Sequence, residues 1–413
     1  MKDVLIVTNY CQFPGESGNN RYTYLADMLA AEGFEVEIVT STFNHKTKSQ
    51  RPFTGDDVKN VSYKTTLINE PGYPENVSFK RLYSHRIIAL NIMNYVERRK
   101  LPDLIYCPFP PITIGKKMAE FAKRNRIPFV IDIQDLWPEA FRMVFNPPFL
   151  SNILYRPFER AANKIFGQVD AIVGVSRTYV DRAYSVNRKN VGRSSVFLGT
   201  DLNHFDSLVE KAELLSDEKS GIKVAYIGTL GSSYDINLIT DAIALLKREG
   251  RTDIHFVVMG EGPKREAFAQ YAQRSGISYE FTGMLPYEAM VKRLSQCDIA
   301  VNPIRKGAAQ SIINKVGDYA AAGLPVVNTQ ENEEYRTYVD DLRIGFNCIP
   351  GESKDVAVKM EILCSDPDLR KEMGANNRKF AETNFDRRHT YPEIVRVIEN
   401  LLPETVEAES RVL

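Results

Sequence analysis

The run Ile299-Ala300-Val301-Asn302-Pro303-Ile304-Arg305-Lys306-Gly307-Ala308-Ala309-Gln310-Ser311-Ile312-Ile313-Asn314-Lys315-Val316-Gly317-Asp318-Tyr319-Ala320-Ala321-Ala322-Gly323-Leu324-Pro325-Val326-Val327 reads as one complete strand–loop–helix–strand unit. Ile299–Val301 is a short, continuous apolar run, as expected of a strand buried on both faces of a parallel sheet. The strand stops at Pro303, a loop with two cations leads into a helix, and Gly323 closes that helix before the next strand. The same alternation extends in both directions. Strands are expected at 3–8, 35–40, 103–107, 128–133, 170–175 and 194–198, then at 222–227, 253–259, 278–282, 298–302 and 324–328. Segments between them, such as 20–32, 235–249 and 263–275, carry apolar residues at helical spacing. Repeated strand–helix alternation means parallel α/β architecture.

The pattern breaks once, in the charge-rich stretch Asp206–Ser220. At 413 residues the chain exceeds one hydrophobic core, so this stretch is read as a linker between two doubly wound, Rossmann-like domains facing a cleft. The expected division is 1–205, with a C-terminal helix at about 386–413 packing back onto it, and 206–385. The 53 basic and 53 acidic residues cancel, leaving no global field to favour nucleic acid. Five scattered cysteines, never spaced C-x-x-C, argue against a disulfide framework or a thiolate zinc site and fit a reducing cytosol. Met1–Thr8 reaches Asn9 too soon for a signal-peptide core, and no run approaches the roughly 20 apolar residues of a spanning helix.

Open parallel sheets bind ligands beyond the carboxyl ends of their strands. After the first strand comes Phe13-Pro14-Gly15-Glu16-Ser17-Gly18-Asn19-Asn20-Arg21, and the second domain opens with Gly228-Thr229-Leu230-Gly231. A third such turn is Gly260-Glu261-Gly262-Pro263. Glycines let backbone approach a ligand, and free N–H groups at a helix start favour an anion. None of these turns spells G-x-G-x-x-G or G-K-[ST], which counts against a simple dehydrogenase or a nucleoside-triphosphate hydrolase. On the helix after Ile313, Asn314, Lys315 and Asp318 share a face, an arrangement suited to a nucleotide diphosphate. The same spacing also permits a plain surface helix with a Lys315–Asp318 ion pair.

Together these pieces resemble the retaining GT-B glycosyltransferases of family four, especially bacterial enzymes of capsule and O-antigen assembly. The resemblance rests on the Gly15/Gly18 loop, Asp135-Leu136-Trp137-Pro138-Glu139, Leu198-Gly199-Thr200-Asp201, Tyr226-Ile227-Gly228-Thr229, Met259-Gly260-Glu261-Gly262-Pro263, Phe281-Thr282-Gly283 and Asn314–Val327, in that order. It implies transfer of a sugar from a nucleotide diphosphate sugar, UDP-linked by family frequency, to a glycan or lipid-linked acceptor. The donor would lie on the second domain, touched by Gly15, Gly18, Gly228, Thr229, Gly260, Gly262, Met284, Arg305, Ser311, Ile312, Ile313, Asn314 and Asp318. Asn19, Arg21 and Trp137 would touch the acceptor. Two departures stand out: the first member of the family's acidic pair falls on Gln310, and Tyr234-Asp235-Ile236 occupies the place of a common lysine. Lys315, with Arg305 and the 311–314 helix start, is therefore expected to neutralise the leaving diphosphate.

The implied catalytic set is Asp135, Gln310 and Lys315. Asp135 would steer the acceptor, or cap the helix that follows it. No metal and no separate cofactor are expected: the one D-x-D match in a loop, Asp366-Pro367-Asp368, suits a helix cap, and the five histidines show no ligand spacing. Two cation-rich amphipathic stretches, 79–100 and 149–166, suit either a membrane surface or ordinary surface helices. The expected location is cytoplasmic, with peripheral contact at the inner face of the cell membrane left open by those stretches. Two rivals share the architecture: a sugar-nucleotide epimerase and a catalytically silent partner subunit.

Overall fold

The computed structural model describes residues 1–16, 20–76, 78–139, 151–211, 221–308, 312 and 314–402. Its contacts divide the chain into two compact units, Met1–Val196 with Tyr391–Leu413, and Phe197–Thr390.

In the first unit the strands are β1 Asp3–Val7, β2 Glu35–Ser41, β3 Phe43–Asn44, β4 Ser49–Gln50, β5 Lys64–Ile68, β6 Leu104–Phe109, β7 Phe129–Ile133, β8 Ala171–Gly174 and β9 Gly192–Ser195. Seven of them form one sheet in the order β5-β2-β1-β6-β7-β8-β9, parallel at every pairing. β3 and β4 make a separate antiparallel hairpin beyond the end of β2. β1, β6 and β7 are buried along their whole length, which is why they read as unbroken apolar runs. The order reverses at β1, whose neighbours are β2 and β6, so loops leaving β1 and β6 part to opposite sides and open a crevice.

The second unit repeats the scheme with β10 Ile222–Ile227, β11 Ile254–Met259, β12 Ser278–Gly283, β13 Ile299–Asn302, β14 Val326–Asn328 and β15 Gly345–Asn347. Their order is β12-β11-β10-β13-β14-β15, again all parallel, with the reversal between β10 and β13.

The division falls at Val196/Phe197, upstream of the charge-rich stretch expected to be the linker. Packing explains this. Phe197 and the helix Leu202–Glu210, through Leu202, Phe205 and Leu208, share a core with Val316, Ala320, Phe380 and Phe385 of the second unit. Arg378 fixes that helix with two 2.7 Å hydrogen bonds to Asp206. Residues 212–220 lie outside the described residues. At the other end, Tyr391 and the helix Pro392–Glu399 join the core of the first unit, with Tyr391 edge-on to Tyr24 and Glu393 accepting from Ser194 at 2.7 Å.

Candidate functional site

The reversal point of the second unit gathers three loops. Gly228 donates its N–H to the Met259 carbonyl at 3.0 Å, and Leu230 donates to Glu261 at 2.9 Å, so the loops after β10 and β11 are laced together. A Cβ on Gly260 would sit 1.8 Å from the Gly228 carbonyl oxygen, and one on Gly262 2.5 Å from that of Leu230. Gly260 and Gly262 thus serve the seating of one loop on the other. The third loop, after β13, joins them through Arg305 N–H to Ser233 at 3.0 Å and Asp235 N–H to Pro303 at 2.9 Å. That leaves the backbone of Gly228 and Thr229 exposed at the reversal point, with Gly228 in the positive-φ conformation (φ +125°) that glycine tolerates.

Lys315 reaches into this place from the first turn of the helix Asn314–Ala321. A Cβ on Gly228 would lie 3.2 Å from its Nζ. The side chain is only 7% exposed, and Nζ has no hydrogen-bond partner among the described residues. Two tyrosine rings flank it, Tyr226 at 4.0 Å and Tyr234 at 3.9 Å from ring centre to Nζ. Burial pushes its pKa well below the ordinary lysine value. The Lys315–Asp318 ion pair permitted by the spacing does not form. Asp318 instead accepts from the Tyr287 hydroxyl at 3.0 Å, and burial lifts its carboxyl to about 6. A buried amine without a counter-charge is costly unless an anion completes it.

The other expected donor contacts scatter. Asn314 and Arg305 are exposed beside the loop, and Met284 is 63% exposed just past the end of β12. Ile312 is buried in the core with Val316 and Phe205, so its side chain does not face a ligand. Gly18, Asn19, Gln310, Ser311 and Ile313 lie outside the described residues. Gly15 is exposed, with φ +87° and open space around it, and its neighbour Glu16 anchors the loop through Arg51 at 2.8 and 3.0 Å. Sequence reading missed the tyrosine walls. It also missed a ladder of asparagines, Asn302, Asn328 and Asn347, in register across the ends of β13, β14 and β15. Asn302 donates to Asn328 at 2.9 Å, and Asn328 to Asn347 at 2.8 Å.

In the first unit the polar groups also collect past the carboxyl ends of strands. Asp135 follows β7; its carboxylate accepts from Leu136 N–H at 2.9 Å and from the Trp137 indole N–H at 3.3 Å. Burial raises its pKa, against those hydrogen bonds and the nearby Arg81 charge. Trp137, 8% exposed, stacks on His85 and lies 4.8 Å beneath the Arg81 guanidinium. His85 meets the Tyr10 hydroxyl at 3.1 Å, and His45 meets the Tyr73 hydroxyl at 2.6 Å. Burial, then neighbouring cations, depresses both imidazoles to about 3, so both are neutral at physiological pH. Glu70 is fully buried and accepts from Ser41 at 2.5 Å and Ser84 at 2.6 Å.

Arg21, expected among the acceptor contacts, is instead 1% exposed and bonds Asp132 of β7 through Nε at 2.8 Å and a terminal nitrogen at 3.2 Å. It also lies 5.0 Å from the ring of Tyr391, so it ties the returning C-terminal segment to the sheet and offers nothing to a ligand. A cavity of about 470 Å³, lined by Ala122, Arg126, Phe129, Asp170, Lys189 and Leu401, lies at the amino ends of β7 and β8, away from both gatherings. Among the described residues no group of three or more His, Cys, Asp or Glu side chains is placed to hold a metal, and no helix is long and apolar enough to cross a membrane.

Two Rossmann-like units, each with its polar groups at the carboxyl ends of a doubly wound parallel sheet, define the GT-B fold. The solved structure of sucrose-phosphate synthase from Thermosynechococcus elongatus is similar over 97% of this chain and 99% of its own, with a TM-score of 0.74 at 15% identity. Anabaena HepE in complex with UDP matches over 97% of this chain and 100% of its own, with a TM-score of 0.70 at 15% identity. Residues 209–380 match the family model of glycosyl transferases group 1. Among curated proteins, an uncharacterised glycosyltransferase of Methanocaldococcus jannaschii is 23% identical over 249 residues, covering 58% of this chain and 60% of that relative's length. The family match covers less than half of the chain, and the curated relatives it resembles are themselves named as glycosyltransferases.

Proposed function

We propose that the protein transfers a sugar from a UDP-sugar to a glycan or lipid-linked acceptor, as a retaining and metal-independent enzyme of polysaccharide assembly. The observation that carries this reading is Lys315: a buried amine without a hydrogen-bond partner among the described residues, at the reversal point of the second sheet, beside exposed Gly228 and Thr229. A nucleoside diphosphate supplies the missing negative charge. Sugar transfer leaves that diphosphate with more charge than it carried in the donor, so a fixed cation stabilises the transition state beyond the ground state. The amine, low in pKa while empty, takes up a proton as the anion arrives. Asn314 and the following backbone N–H groups at the helix start add to the attraction. Asp318, half-buried and bonded to Tyr287, accepts from ribose hydroxyls in this reading.

The first unit holds the acceptor, with Asp135 and Trp137 past the end of β7 as its contacts. In a retaining reaction the departing diphosphate takes the acceptor's proton, so Asp135 orients the hydroxyl and need not act as base. The outer face of the helix Phe79–Val96, with Phe79 91%, Tyr83 60% and Leu90 42% exposed beside Lys80 and Arg86, suits a membrane surface carrying a lipid-linked acceptor.

A thermal-shift panel of nucleotides tests the donor reading: UDP should stabilise the protein and GDP much less. Product NMR should show the anomeric configuration of the donor, and activity should persist in EDTA. Asp135→Ala should abolish turnover while leaving UDP binding intact. Sugar isomerisation without acceptor would replace this reading with an epimerase, and no reaction with any nucleotide sugar would replace it with a silent subunit.

A further inference from the structure

The first unit holds a second place where positive charge stands uncompensated. Lys48 and Arg81 come from segments far apart in sequence yet meet on one ring: the Lys48 amine lies 4.8 Å and the Arg81 guanidinium 5.5 Å from the centre of Tyr73. Both hold the same residue, Lys48 donating to the Asn76 side-chain oxygen at 2.5 Å and Arg81 to the Asn76 carbonyl at 2.6 Å. Arg81 also donates to the Tyr10 hydroxyl at 2.9 Å, while its Nε is buried without a hydrogen-bond partner among the described residues.

The neighbours do not neutralise this pair. No carboxylate among the described residues lies within ion-pair distance of either cation. His45 and His85, which touch the same tyrosines, are neutral. Glu70 and Asp135 feel Arg81 at longer range, but burial raises both carboxyls, and Glu70 is already engaged by two serines. Burial and the Arg81 charge together lower the Lys48 amine to about 8. Two cations held at one half-buried place, with an unused guanidinium N–H, form a preorganised receptor for a multiply charged anion.

We propose that Lys48 and Arg81 bind a phosphate or diphosphate group carried by the acceptor. The inference rests on the reading that the first unit holds the acceptor. It narrows the acceptor class to phosphorylated molecules, with Tyr10, Tyr73 and Trp137 forming the walls around the anion.

Isothermal titration with geranyl diphosphate, against geraniol as the uncharged control, tests the proposal. The titrations use full-length protein saturated with UDP so that the Lys315 site is filled. Geranyl diphosphate should bind and geraniol should not. Lys48→Gln should weaken binding at least about tenfold, the loss of one charge-assisted hydrogen bond. Lys48→Arg should restore most of it. Arg81→Gln should cost more, and the UDP-induced thermal shift should be unchanged in all three variants, which also reports that they fold. Equal binding of geraniol, or geranyl diphosphate binding insensitive to Lys48→Gln, overturns the proposal. Failure of UDP to bind would count against the donor reading instead; geranyl diphosphate would then be titrated into Lys315→Met, with the same two outcomes deciding.

Discussion

Replacing Lys315 with methionine should make the empty protein more stable and its nucleotide site inert. Burying an ammonium, or stripping its proton to avoid doing so, costs several kcal/mol. The Tyr226 and Tyr234 rings, 4.0 and 3.9 Å from Nζ, return about 1–2 kcal/mol each when the amine is charged. A net penalty of about 2 kcal/mol remains, and methionine fills the volume without it. For a unit of this size that corresponds to a rise of about 4–8 °C in Tm, read by calorimetry. UDP at about 100 times its Kd should then stabilise the wild type by about 2.7 kcal/mol and the variant by very little. The pH dependence carries the same signature. Lys315 titrates below its ordinary 10.5 in the folded state, so between the two values the unfolded chain holds the extra proton and empty-state stability rises with pH. UDP binding draws the proton in, so affinity should fall as pH rises, with proton uptake visible in buffers of different ionisation enthalpy. A variant that is less stable and still shifts with UDP would refute the reasoning.

Asp318 works in the other direction. Its folded carboxyl titrates near 6 against an ordinary 3.8, so its ionisation penalises the fold as pH rises through that interval. Asp318→Asn should raise Tm at pH 7.5 and change it little at pH 4. Gly260→Ala would drive a methyl onto the Gly228 carbonyl, which sits 1.8 Å from the Cβ position. It should cost about 1–3 kcal/mol in denaturant unfolding and weaken UDP binding by unseating the loop after β10. Asp132→Asn removes the carboxylate that faces the buried Arg21 guanidinium in the first core, and should cost about 3–5 kcal/mol; the double change Arg21→Met with Asp132→Leu should recover most of that in the same assay.

The parallel α/β architecture was legible because strands buried on both faces leave continuous apolar runs such as Phe256–Met259 and Ile299–Val301. β5 escaped reading because Lys64, Thr65 and Thr66 make an edge strand polar, and β15 because Gly345-Phe346-Asn347 is too short to show a period. Lys315 stood out from its place after a strand and loop. Its partners did not, since Tyr226 sits inside an apolar strand and reads as core. Gly260 and Gly262 read as a turn that lets backbone approach a ligand, whereas the obstacle to a side chain at both is the loop after β10. Arg21 follows a glycine loop, yet its helix phase turns it onto Asp132 of the sheet. The cluster of Tyr10, His45, Lys48, Glu70, Tyr73, Arg81 and His85 left no motif, because it assembles from loops and a helix that meet only when the sheet forms.

Sugar transfer itself is most directly tested by following radiolabel from a panel of UDP-sugars in the presence and absence of a phosphorylated lipid acceptor. One UDP-sugar should pass its label to the acceptor, UDP should appear only when acceptor is present, and Lys315→Met should stop both. Labelled product formed equally well by Lys315→Met, or release of UDP indifferent to acceptor, would contradict it.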